Sequence, residues 1–122
     1  MKSAFHTIPI WNRKLLLVVG WEEEKVLALI SKYQMGGALR TMVKDNDHGK
    51  VQGCVYYDEE KGNCILVFPT NKPRLDTIAH ECAHIAKFML IAIGSRAYKD
   101  DENLNYLLEY LLNWTRKTLK KL

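Results

Sequence analysis

A chain of 122 residues, 48% apolar and 26% charged, has the make-up of one ordinary globular domain (1–122), which excludes a disordered or fibrous chain. Its net charge of +4 is mild, and much of the surplus lies in Arg116, Lys117, Lys120 and Lys121, where the end of a helix favours cations without any polyanion, so nucleic acid is not the expected partner. Three cysteines, an odd number with no secretory signal ahead of them, point to reduced thiols and a cytoplasmic protein, and no window approaches the roughly 18 apolar residues of a membrane span.

Ala4 to Trp11 is rich in strand formers, and Asn12-Arg13 can turn it into a second strand, Lys14 to Val19, which Gly20 ends. Glu22-Glu23-Glu24 suits the first turn of a helix whose Val26, Leu27, Ile30 and Tyr33 recur at helical spacing until Gly36-Gly37. From Ala38 to Lys50 no periodicity is clear, and Asp45 to Gly49 reads as an exposed loop with His48 solvated in it. Val51 to Tyr57 and Asn63 to Phe68 flank a Gly62-containing turn, which gives a second hairpin. Its Cys54 and Cys64 read as small apolar fillers. Pro73 is placed to open a helix that runs to about Ile93 and stops at Gly94, with Thr70 or Asn71 available as a cap. That helix is apolar on most of its circumference, and Asp76, His80, His84 and Lys87 form its one polar stripe. A final helix starts near Asp100-Asp101, with Leu104, Leu107, Leu108 and Leu111 at core spacing and Glu102, Glu109 and Asn113 on a narrow polar line.

Within the long apolar helix stands His80-Glu81-Cys82-Ala83-His84, an HExxH sequence. Imidazoles four residues apart share a helix face, where both reach one Zn²⁺, and the intervening glutamate points about 100° away, near enough to handle a proton beside the metal. The plain alternative is two ordinary helix histidines. A domain of this length buries a core without a metal, so zinc here would be a working part. Cys82 points away from both histidines and reads as core. A catalytic zinc takes three protein ligands. An HExxHxxGxxH extension is absent, because Lys87 and Leu90 occupy its glycine and histidine places. The remaining candidates are Glu102 and Glu109, eighteen and twenty-five positions after His84, each of which could equally be an exposed helix residue.

The motif, followed by Glu102-Asn103-Leu104-Asn105-Tyr106-Leu107-Leu108-Glu109-Tyr110-Leu111, resembles a family of small, mostly phage-encoded proteins classed as zinc metallopeptidases, over about Cys64 to Trp114. They share an HECxHA-like helix and a later E-x-L-x-Y-L-x-E-W/Y-L helix. More distantly the layout is similar to gluzincins. The resemblance implies His80, His84 and Glu102 as metal ligands, ahead of Glu109, Glu81 as the catalytic base, and Tyr106, Tyr98, His6 or His48 as unplaced candidates for steadying an oxyanion. It also implies that an extended peptide adds to an edge strand, here Cys64 to Phe68, for which the plain alternative is an ordinary inner strand. Asp76, one turn before His80, could orient that imidazole, or simply favour the helix start.

The expected fold is α+β: a small sheet of two β-hairpins with three helices, a minimal gluzincin-like zincin whose HExxH helix packs against the C-terminal helix. The expected function is zinc-dependent hydrolysis of peptide bonds, in the host cytoplasm if the chain is phage-encoded. The alternatives are a non-catalytic zinc-binding interaction protein on the same scaffold, or a nucleic-acid-associated phage accessory protein using the basic tail. Substrate and oligomeric state are not legible.

Overall fold

Two apolar strands run side by side through the middle of the protein. β2 (Arg13–Val19) and β4 (Cys64–Phe68) pair in parallel, Leu15 opposite Cys64 and Val19 opposite Phe68. β1 (Lys2–Ile8) pairs antiparallel with β2, and β3 (Cys54–Tyr57) antiparallel with β4. The result is one mixed four-stranded sheet in the order β1-β2-β4-β3. The computed structural model describes residues 1–9, 12–45, 53–92, 94 and 101–122.

The uninterrupted apolar runs of β2 and β4 follow from burial on both faces, as in sheets covered on either side by helices. Leu15, Leu17, Cys64, Leu66 and Phe68 point to one face, where they pack with α3 (Leu75–Ala92) and α4 (Asp101–Lys121). Leu16, Val18, Ile65 and Val67 point to the other, against α1 (Glu23–Lys32) and α2 (Gly37–Asp45). The protein is therefore α+β, with four helices among its described residues where the sequence suggests three.

The additional helix is α2, in a stretch that reads as aperiodic. It buries only Leu39 and Val43, too short a stripe to register as a period, and Arg40 ties it to α1 by donating to the Leu27 carbonyl and the Ser31 hydroxyl. A second correction concerns the sheet edge. β4, expected to offer itself to a peptide, is an inner strand with all five residues buried, and β3 is the free edge on that side. Its two-sided apolar character is that of an inner strand. The motif helix starts at Leu75, and Thr70 does not cap it: the Thr70 hydroxyl accepts the Lys72 N–H in the preceding loop.

Two buried polar side chains fix the approach to β4. Asp58 Oδ1 accepts the Glu60 and Lys61 N–H groups, closing the turn that Gly62 completes at φ +71°. A side chain there would set Cβ 2.8 Å from Ala92 Cβ, so the turn packs directly under the end of α3. Asn63 accepts the Lys14 N–H through Oδ1 (3.0 Å) and donates to the Met35 carbonyl (3.3 Å), joining β2, β4 and the end of α1. Lys14 Nζ donates to the Tyr33 and Gln34 carbonyls, a cation at the C-terminal end of α1 where the dipole favours it.

Asn63→Ala leaves two backbone partners without hydrogen bonds and should cost about 1–3 kcal/mol in urea unfolding. On the opposite edge, His6 Nε2 lies 2.6 Å from the Tyr110 hydroxyl and its ring stacks on Trp114. Burial lowers the His6 pKa below its ordinary 6.5. The folded state thus favours neutral imidazole, and this contribution is complete above pH 6.5 and lost as pH falls through the lowered value. Wild type should lose more stability than His6→Gln between pH 8 and pH 5 in paired denaturant titrations.

Candidate metal centre

α3 lies on the sheet through Ile78, Cys82, Ile85 and Met89, all in the core. The helix period then leaves His80 and His84 exposed on the outer side and turns Glu81 inward, at 8% exposure. The two imidazoles converge: their Nε2 atoms are 3.1 Å apart, with the ring planes at 86°. A zinc ion with Zn–N bonds of about 2.0–2.1 Å in tetrahedral geometry spans an N···N edge of about 3.3 Å, so the pair stands close to the spacing of two metal ligands. Without a metal the same distance requires one ring to donate an N–H to the other.

Beside them lies a hollow of about 250 Å³, lined by Gly53, Cys54, Val55 and Tyr57 from the β3 side and by Glu81, His84 and Phe88 from α3. The His84 ring is parallel to Phe88 (5.8 Å between centroids), and Phe88 stacks on Tyr57 at 3.6 Å. This aromatic row braces His84 against the edge strand. Gly53, just ahead of β3, is closely packed: an added Cβ would stand 3.1 Å from Thr77 Cγ2 of α3 and 3.2 Å from Phe68 Cε1 of β4. Tyr57 and Phe88 are groove residues that the sequence reading missed. The signal was the alternation of Val55 and Tyr57 toward one face, but only the pairing with β4 says which face.

The thiols near the motif are held in their neutral form by burial. Burial, and secondarily the Glu81 charge, pushes the Cys54 thiol up to about 11. Cys82 is pushed up to about 11 foremost by burial, against a lowering from its Thr115 partner at 3.7 Å. Cys64 is also raised, chiefly by burial.

The packing of α3 on α4 decides where the acidic candidates stand. Cys82 meets Thr115, while Ile78 shares a hollow with Leu119, so the helices run antiparallel. Counted from Thr115, Glu102 lies roughly 16 Å along the axis from the level of His84, and Glu109 roughly 6 Å, at 1.5 Å per residue for aligned axes. Both line a separate open hollow with Asn105 and Tyr106. His84 instead lines the hollow on the β3 side, with His80 against it. Among the described residues no group of three or more His, Cys, Asp or Glu side chains is gathered as a metal site.

Other expected contributors are also elsewhere. Asp76 does not orient His80: its carboxylate is held by Arg74 through two bonds (2.9 and 3.1 Å) and by the Thr77 N–H, and the Arg74 bond lowers its pKa first of all. His6 is engaged with Tyr110 and Trp114 on β1, the far edge of the sheet, and Tyr106 sits in the Glu102 hollow. His48 and Tyr98 lie outside the described residues. Comparison with protein-family models, curated proteins and solved structures returned no match for the chain.

A thiol held near 11 is only about 0.1% thiolate at pH 8. Cys54, though only partly buried, should therefore react with iodoacetamide at pH 8 at least tenfold more slowly than cysteine in the urea-unfolded chain, as followed by intact mass.

Proposed function

We propose that the chain is a zinc-dependent, metallopeptidase-like hydrolase whose site lies between α3 and the free edge of β3. The carrying observation is the pair of imidazole Nε2 atoms 3.1 Å apart at the mouth of the groove into which Glu81 is turned. His80 and His84 would hold the metal. Zinc supplies acidification of water toward neutral pH and polarisation of the substrate carbonyl.

The chain's own residues do the rest. A carboxylate oxygen of Glu81 takes a proton from the attacking water and returns it to the leaving amine nitrogen, a role that its partial seclusion beside the histidines suits. Phe88 and Tyr57 hold the His84 ring plane and wall the groove from solvent. A peptide in extended form adds to β3, whose outer edge has no strand partner among the described residues, and this brings its backbone along the groove. On the same reading the protein is a minimal gluzincin-like enzyme acting in the host cytoplasm.

Glu102 enters this proposal by resemblance alone; counted along α4 with aligned axes, it stands roughly 16 Å from the level of His84. That separation favours one further reading, a non-catalytic zinc-binding protein on the same scaffold, since two imidazoles hold a metal with less constraint than three ligands do.

Protein purified without added metal should contain about one zinc per chain by elemental analysis, and His80→Ala should contain none. The packing leads us to expect that Glu102→Gln keeps its zinc. Glu81→Gln should also keep zinc but lose about 10²- to 10⁴-fold in peptide cleavage, the usual size of a general-base contribution. Zinc retained in Glu81→Gln with no cleavage by wild type of an unbiased peptide library would favour the non-catalytic reading. Absence of stoichiometric zinc in wild type would remove both.

A further inference from the structure

The basic residues near the end of the chain have a ready explanation in the dipole of α4, but the fold adds to them a cation that this does not explain. Lys72, from the loop between β4 and α3, meets Arg116 and Lys120 of α4 around a hollow of about 140 Å³, completed by Asn71, Pro73, Ile78 and Leu119. Lys72 precedes Arg116 by forty-four residues, and it stands just ahead of the first turn of α3, where a helix dipole disfavours a cation.

These three side chains make no ion pair with any described carboxylate. No acidic residue among the described ones lines the hollow, and the Asp76 carboxylate, four residues after Lys72, is already held by Arg74. Lys117 and Lys121, exposed on the same helix, are equally without an acidic partner among the described residues. Like charges drawn together in this way repel one another and attract a polyanion.

We propose that this hollow and its flanking lysines bind the phosphate backbone of a nucleic acid. Size favours a phosphate presented by a polymer over a free nucleotide, since a hollow of about 140 Å³ lies below the roughly 300–1,000 Å³ of pockets that enclose a whole small ligand. An anionic bilayer fits less well, because the apolar lining residues Ile78 and Leu119 are 6% and 3% exposed and cannot insert. An acidic peptide would find no open strand edge here. The surface lies on the α4 side of α3, while the histidine pair faces β3, so binding here does not depend on the metal centre.

The test is fluorescence anisotropy of a labelled 20-base-pair duplex and a 20-nucleotide single strand with the full chain, at 50 to 200 mM KCl. Three phosphate contacts predict a slope of log K against log salt of about −2.7 for the duplex, about 0.9 per contact, and hence a loss of about 40-fold over that range. The Lys72→Gln/Arg116→Gln/Lys120→Gln variant should bind at least tenfold more weakly and flatten the slope. Lys32→Gln/Lys44→Gln/Lys61→Gln, which removes the same charge elsewhere, should bind within about twofold of wild type. Circular dichroism melts check that these exposed substitutions leave the fold intact. No binding to either nucleic acid, equal weakening by the two variants, or binding only to phosphatidylserine vesicles would each overturn the proposal.

Discussion

The parallel pairing of β2 with β4 is the constraint from which the arrangement of this protein follows. Leu15 to Val19 and Cys64 to Phe68 are apolar on both sides, so the pair is stable only if helices cover both faces of the sheet. α1 and α2 cover one face, α3 and α4 the other. Because β4 is inner, β3 becomes the edge, and α3 lies with its core stripe on the sheet and its histidine side over that edge. The candidate site is thus a by-product of how a mostly apolar helix must sit on a sheet whose outermost strand is short.

What the sequence made legible is what local pattern alone determines. The strands β2 and β4, the helices α1, α3 and α4, and the HExxH pair at helical spacing all depend on periodicity within one element. α2 escaped because Leu39 and Val43 are a two-residue signal beside paired glycines. The edge reading of β4 came from the gluzincin resemblance; the continuous apolar run carried the other reading, an inner strand, and that is what the sheet order shows. The position of Glu102 was not legible because it depends on the register between α3 and α4, set by contacts such as Cys82 with Thr115, which no spacing encodes. Tyr57 and Phe88 fall in the same class, since their stacking needs a strand and a helix to be brought together by the sheet.

Several features of α3 are costly or indifferent for folding. Its two imidazoles crowd each other in solvent, and the Glu81 carboxylate is turned into a groove with no hydrogen bond from a described residue. Cores optimised for stability avoid such placements, and proteins retain them where function requires. The opposite flank carries the cations of Lys72, Arg116 and Lys120, which pair with no described carboxylate. One helix therefore separates two chemically distinct surfaces, a neutral-to-acidic groove along β3 and a basic hollow against α4.

The most direct measurement is a crystal structure of the zinc-treated protein with anomalous data at the zinc edge. The account requires one strong anomalous peak about 2.0–2.1 Å from the Nε2 atoms of both His80 and His84, and the same map identifies any third ligand. A zinc ion bound elsewhere, or a fully ordered histidine pair with no metal at saturating zinc, would contradict it.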